Sequence, residues 1–265
     1  MKLFHVSDVH FGAEDGAAID WFAACVADER PDAVIMTGDL TMRARADEFA
    51  RGGEWLAALG VPTTVEIGNH DIPYYSDPIG RLVRPYRRYL ALERMIERPL
   101  ALPGVTVVPL RTVARLQWRI DQSRGQVSRR SLAEALATIR TAPAGDLILV
   151  AAHHPLLAAG RTEEGETHGG ITALAALADA GADMVLSGHV HFPFDVAYER
   201  GDRTVRLVGA GTLSRRLRGA PPAFNEIRVG TDRRFEVLAR SFLPAPGTPL
   251  RGRSTIGAGA EAEGV

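Results

Sequence analysis

Val61-Pro62-Thr63-Thr64-Val65-Glu66-Ile67 runs straight into Gly68-Asn69-His70-Asp71. An apolar, β-branched run ending in Gly-Asn is the mark of a buried strand that stops abruptly. It stops at an amide, an imidazole and a carboxylate on successive residues. Those groups are costly at the tip of a core strand unless something there uses them. Four other stretches repeat the design: Val6-Ser7-Asp8-Val9-His10, Met36-Thr37-Gly38-Asp39, Val150-Ala151-Ala152-His153-His154-Pro155 and Leu186-Ser187-Gly188-His189-Val190-His191. In each, an apolar run leads to Asp or His.

Outward from these tips, the N-terminal half alternates strand and helix. Ile19, Phe22 and Val26 stand at helical spacing within residues 16–29, and Pro31 closes that helix. Ala33-Val34-Ile35-Met36 is a second strand. A helix over residues 43–59 follows, with Phe49, Leu56 and Leu59 on one face and Gly60 as its stop. This β-α-β-α-β order predicts a parallel sheet with helices on its faces, an α/β fold. Residues 72–104 break the pattern: Tyr74, Tyr75, Tyr86 and Tyr89 interleave with Arg81, Arg84, Arg87, Arg88, Arg94 and Arg98, which reads as a loop and short helices forming a small helical cap. Val105–Leu110 and Val113–Asp121 read as a strand pair, and Ser128–Thr141 as a helix capped by Ser128. Strand Leu147–Ala152, helix Gly170–Ala180 and strand Asp183–Ser187 come next. Residues 194–199, 204–208, 223–229 and 233–242 then read as successive antiparallel strands. From Pro244 the chain is rich in Pro, Gly, Ala and charge, the composition of a flexible tail. The expectation is one domain over residues 1–243 and a tail over 244–265.

Composition narrows the field. At 265 residues, 46% hydrophobic and 24% charged, the chain can bury a sizeable core. A net charge of −1 offers no global attraction to nucleic acid or to an anionic membrane. Lys2 is the only lysine, so the positive charge is nearly all arginine. Cys25 is the only cysteine, which excludes an intrachain disulfide. No basic-then-apolar leader precedes the first strand and no apolar run approaches the ~20 residues of a membrane span. The expectation is a cytoplasmic protein.

In an open α/β sheet, ligands sit outside the carboxyl ends of the strands. A shared cleft there would gather Asp8, His10, Asp39, Asn69, His70, His153, His189 and His191. An oxygen and nitrogen donor set without thiolate suits Mn, Fe, Zn or Co. It holds more ligands than one ion needs, and a pair of ions ~3.5–4 Å apart would use them on a displacement at phosphorus.

The order Asp8-x-His10, Gly38-Asp39, Gly68-Asn69-His70-Asp71, His153 and Gly188-His189-x-His191 resembles the calcineurin-like metallophosphoesterase superfamily in every motif, over roughly residues 2–230. The resemblance implies a four-layer α/β/β/α sandwich and two divalent or transition metal ions. It implies one metal on Asp8, His10 and His191, another on Asn69, His153 and His189, and Asp39 bridging them. It further implies a metal-bridging hydroxide as nucleophile, with His70 as general acid or charge stabiliser. Asp-x-His-Phe-Gly, His153-His154-Pro155 and Gly209-Ala210-Gly211-Thr212 are most similar to the bacterial class III cyclic-nucleotide phosphodiesterase and glycerophosphodiesterase branch, with a loose match at Asp121-Gln122-Ser123-Arg124-Gly125.

That branch implies a small phosphodiester substrate. A phosphomonoesterase or nucleotide pyrophosphatase is the alternative enzyme, with a nuclease behind it. A metal-binding scaffold without catalysis is the alternative of another class. Asp71 either orients His70 or closes a turn, and His154 could ligate, support a ligand or face substrate. His5 reads as structural and His168 as a solvated loop residue. Of Arg215, Arg216 and Arg218, one could contact the substrate phosphate, and Arg215 is taken as the candidate. The Arg/Tyr segment reads as an amphipathic cap or a homodimer contact rather than a nucleic-acid surface.

Overall fold

The computed structural model describes residues 1–73, 78–96, 100–114, 124–158 and 167–243. Its first strand, β1 (Lys2–Val6), shows how the layers arise. Phe4 and Val6 face one core, Leu3 faces another, and all three are fully buried. Alternation in a strand buried on both faces demands a layer on each side.

On one side lie helices α1 (Gly16–Glu29) and α2 (Ala46–Ala58), separated by β2 (Ala33–Met36) and followed by β3 (Thr63–Val65). Phe22 and Val26 of α1, with Phe49 and Leu56 of α2, join Phe4, Val34 and Met36 in one core. Asp15 caps α1 by accepting from the N–H groups of Ala17 and Ala18. Gly60, at φ +67°, lies in the left-handed region just past the end of α2. Beyond a single 3₁₀ turn (Asn69–Asp71) come α3 (Pro78–Val83) and α4 (Arg87–Ile96). Tyr89, Leu92 and Ile96 anchor α4 in the same core, and Tyr89 Oη donates to the Val65 carbonyl at 2.7 Å.

The second half builds the other two layers from β4 (Val105–Pro109), α5 (Arg129–Thr141), β5 (Leu147–Ala151), α6 (Gly170–Ala180), β6 (Met184–Ser187), β7 (Phe194–Arg200) and β8 (Arg203–Gly209). Strands β9 (Ala223–Val229) and β10 (Phe235–Ser241) return to the first sheet. The sheets run β10-β9-β1-β2-β3 and β4-β5-β6-β8-β7. Leu3, Ile35 and Ile227 meet Leu149, Leu186 and Val208 between them. Ile148 and Val150 point the other way, onto Ala135 and Ile139 of α5 and Leu174 and Leu177 of α6. The order helix, sheet, sheet, helix is the expected four-layer sandwich. Ser128 caps α5 by accepting from the Ser131 N–H at 3.0 Å, as its sequence predicts.

Two expectations need correction. The last four strands are not one antiparallel series: β7 pairs with β8 and β9 with β10, but β8 lies parallel to β6 in one sheet and β9 antiparallel to β1 in the other. Residues 210–222 cross between sheets instead of turning back. Val105–Leu110 does not pair with the next segment either. β4 pairs in parallel with β5, and residues 113–114 are outside any strand. The rest of that second strand, Tyr74, Tyr75, Arg98 and the segment from Pro244 lie outside the described residues. No helix among the described residues is long and apolar enough to cross a membrane.

His5 is buried between the sheets. Asn225 Nδ2 donates to its Nδ1 at 3.2 Å, so Nε2 carries the proton and donates to Thr37 Oγ1 at 2.9 Å. Burial drops its pKa to about 3 against the small upward pull of Asp8. Unfolded, it titrates near ~6.5. The unfolded chain therefore binds a proton that the native state refuses, and stability present above pH ~6.5 is lost as pH falls below it. That loss has a limiting slope of about 1.4 kcal/mol per pH unit for one group. His5→Gln should flatten the fall, read by urea unfolding at a series of pH values. An unchanged slope would assign the acid sensitivity to other groups.

Candidate metal centre

Every motif residue stands at the carboxyl end of a parallel strand. Asp8 and His10 follow β1, Asp39 follows β2, and Asn69 and His70 follow β3 in the first sheet. His153 and His154 follow β5, and His189 and His191 follow β6, in the second. Asp8, His10, Asp39, His189 and His191 have positive φ, between 51° and 69°. They are five of the eight non-glycine residues so placed among the described residues. A left-handed backbone costs of order 1–3 kcal/mol at a residue with a Cβ. Its concentration at these five positions marks a place where geometry is held against local preference. The motif glycines answer a different need. A Cβ on Gly188 would overlap Ser7 Oγ and Asp8 Oδ2, and one on Gly68 would overlap Asp39.

The structure brings two clusters of donors together. In the first, His191 Nε2 lies 3.1 Å and His10 Nε2 3.6 Å from Asp8 Oδ1, and the two nitrogens are 3.2 Å apart. His10 Nδ1 faces the Thr41 carbonyl at 3.3 Å and His191 Nδ1 the Arg216 carbonyl at 2.6 Å. A carbonyl can only accept, so both Nδ1 atoms carry hydrogen. In the neutral rings, both Nε2 lone pairs then face each other and a carboxylate oxygen. Asp8 Oδ1 is fully buried and accepts no hydrogen bond among the described residues, while Oδ2 accepts the His189 N–H at 2.8 Å. Such an arrangement is repulsive until a cation is shared. The residues fit a metal.

In the second cluster, His153 Nε2 is 3.1 Å from Asn69 Oδ1 and 3.4 Å from Asp39 Oδ2, while its Nδ1 donates to the Thr37 carbonyl at 2.8 Å. Asp39 Oδ1 accepts the His70 N–H at 2.8 Å. Its Oδ2 also lies 3.7 Å from His10 Nε2, so Asp39 stands between the clusters. The ring of His189 packs beside those of His153 and His154, with centroids 5.3 and 4.6 Å away.

The electrostatics agree. Burial alone would lower the His153 pKa, yet Asp39 beside it raises it to about 9. Burial would likewise raise the two aspartates, but His191 and His10 around Asp8, and His153 around Asp39, hold both well below the carboxylate range. Burial first, then the neighbouring carboxylates working against it, leaves His10 at about 4. Without a metal the centre holds a proton on His153, which a divalent ion would displace.

The remaining candidates are also placed. His70 Nδ1 donates to the Met42 carbonyl at 2.7 Å, and Nε2 accepts from Arg216 Nη1 at 3.1 Å. Asp71 does not touch that imidazole. Its carboxylate takes the N–H groups of Leu40, Thr41 and Gly68, and so closes the turn. Burial and the nearby Asp39 push its pKa up to about 7. His154 Nδ1 lies 2.9 Å from Thr112 Oγ1, and His168 is exposed on its loop. Arg215 is exposed too; the arginine that enters the centre is Arg216. Within an irregular loop no periodicity separates the two in the sequence. Thr212, whose hydroxyl donates to the Asp8 carbonyl at 2.6 Å, stands in the Gly209-Ala210-Gly211-Thr212 motif, which marks a resemblance without giving the hydroxyl a role.

The chain belongs to the calcineurin-like phosphoesterase family, whose profile matches residues 1–193. No curated protein matches the sequence. Among solved structures, a dimetal phosphatase from Danio rerio superposes with a TM-score of 0.63 at 15% identity, covering 91% of this chain and 96% of that one. Purple acid phosphatase PPD1 from yellow lupin (Lupinus luteus) seeds gives 0.64 at 13% identity, over 91% of this chain and 51% of that one. GAP50, the anchor in the inner membrane complex of Plasmodium, gives 0.58 at 12% identity, over 91% and 84%. Family and clusters together imply a dinuclear divalent metal site.

Metal binding to the native state alone should therefore stabilise it. Mn(II) at about 100 times its dissociation constant is expected to raise the Tm of metal-free protein by about 5–10 °C. Asp39→Asn should remove most of that rise in calorimetry. A wild-type Tm indifferent to Mn, Fe, Zn and Co would refute the centre.

Proposed function

We propose that the protein hydrolyses phosphodiesters, in the manner of the class III phosphodiesterase branch its motifs resemble. The observation that carries hydrolysis is the convergence of Asp8 Oδ1 with the Nε2 atoms of His10 and His191, a buried donor set made for a cation. In this reading Asp8, His10 and His191 hold one ion, Asn69, His153 and His189 hold the other, and Asp39 lies between. Bound there, two divalent ions supply Lewis acidity toward a phosphoryl oxygen and lower the pKa of water toward ~7.

The chain supplies the rest. The Thr37, Thr41 and Arg216 carbonyls fix the rings of His153, His10 and His191 with Nε2 inward. The Met42 carbonyl does the same for His70, so Nε2 of His70 faces Arg216 at the edge of the centre and is the atom that would hold a proton for the leaving oxygen. Tyr89 is buried and the Arg111 guanidinium lies over the Tyr86 ring, 5.1 Å from its centroid, which favours a small substrate over a nucleic acid stacked on these rings.

Two other readings have support. The neighbours named as phosphatases favour phosphomonoesters. GAP50, named as an anchor, shares this fold and supports the scaffold reading.

One assay separates all three. Protein loaded in turn with Mn, Fe, Zn and Co is given bis-p-nitrophenyl phosphate and p-nitrophenyl phosphate at one pH. The diester should be preferred, and Asn69→Ala or His70→Ala should cut turnover at least about 100-fold with the fold intact. A monoester preference would move the reading to a phosphatase. Two bound metals with no turnover of either ester would favour the scaffold.

A further inference from the structure

The loop leaving β8 is tied into the metal centre through its backbone. Thr212 Oγ1 donates to the Asp8 carbonyl at 2.6 Å and lies 2.7 Å from Ser214 Oγ, which accepts the Arg216 N–H at 3.2 Å. The Arg216 carbonyl in turn takes the His191 Nδ1–H. The main chain of Arg216 is therefore held from both sides by the ligand cage, and its side chain has nowhere to start except at the edge of the centre.

That side chain is half-buried and turns inward. Nη1 lies 3.1 Å from His70 Nε2 and 3.3 Å from His10 Nε2, both of them acceptors by the tautomers fixed above. No carboxylate among the described residues lies within ion-pair distance of it. A cation that is partly out of water and held only by imidazoles lacks its counter-charge. A guanidinium carries five donors in a planar fork, and those beyond the two imidazole contacts have no partner among the described residues. Donors of this kind, beside a dinuclear site, match the non-bridging oxygens of a phosphoryl group.

We propose that Arg216 grips a phosphoryl oxygen of the substrate, between the metal centre and His70. The inference rests on the phosphoesterase reading and names the group that makes it selective for a tetrahedral oxyanion. His10 Nε2, once given to a metal, no longer accepts from Nη1. The guanidinium keeps His70 as its remaining imidazole partner and turns its other N–H groups to the anion.

The test is calorimetric titration of inorganic phosphate into the full-length Mn(II)-loaded protein, with metal content measured on the same samples. Wild type, Arg216→Ala and Arg216→Lys are compared at one pH. Arg216→Ala should bind phosphate about tenfold or more weakly at unchanged metal content, and Arg216→Lys should recover part of the loss. A phosphate affinity for Arg216→Ala within about twofold of wild type would overturn the proposal. So would loss of metal in Arg216→Ala alone, which would make the side chain a support of the cage. Wild type that holds metal and binds no phosphate would bring down the phosphoesterase reading itself, and that failure is recognised because it needs no substitution.

Discussion

Lone pairs crowded together out of water set the terms for this protein. Asp8 Oδ1 and two imidazole Nε2 atoms lie within 3.6 Å of one another, and Asp39 connects them to His153 and Asn69. In water such groups would drift apart, so the fold must hold them. It does so with left-handed backbone at Asp8, His10, Asp39, His189 and His191, at a cost of order 1–3 kcal/mol each, and with glycines where two segments meet too closely for a Cβ. The pKa of about 9 at His153 reports the same tension, since a proton taken from water relieves part of the repulsion.

Neither sheet could build the centre alone. The first provides Asp8, His10, Asp39 and Asn69; the second provides His153, His189 and His191. The bonds that fix these groups cross between the sheets: His189 N to Asp8 Oδ2, His153 Nδ1 to the Thr37 carbonyl, Thr212 Oγ1 to the Asp8 carbonyl. Beneath them, Leu3, Ile35, Leu149 and Leu186 close the apolar seam. Bound metal would therefore act as a clasp between the two halves of the domain. Its stabilising effect would be felt across the interface that Asn225 already bridges by donating Nδ2 to the Gly209 carbonyl of β8 at 2.9 Å.

Much of this was legible in the sequence, because strand tips are where period and chemistry both change. An apolar run ending in Asp or His announces its own position, and a parallel sheet turns such positions into neighbours. Other features gave no such signal. Every residue has a carbonyl, so nothing singles out those of Thr37, Thr41 and Met42 as the acceptors that set the imidazole tautomers. Asp71 could serve His70 or its own turn, and only the positions of the Leu40, Thr41 and Gly68 N–H groups decide for the turn. Sheet membership after β8 was hidden as well. Strand pairing depends on where residues 210–222 lead, which alternation within β8 or β9 does not encode.

That same crossover joins recognition to the metal centre. A loop that had only to connect β8 with β9 could take any path over the surface. This one spends Thr212, Ser214 and the Arg216 carbonyl on the ligand cage, and so delivers one arginine to the centre while Arg215 beside it faces solvent. A shift of the cage would move the root of that side chain with it, since His191 Nδ1 donates to the Arg216 carbonyl at 2.6 Å. Coupling the main chain of this arginine to the cage in this way sets the distance from the candidate metal centre at which its side chain begins. A tetrahedral anion bound to both requires that distance to be fixed.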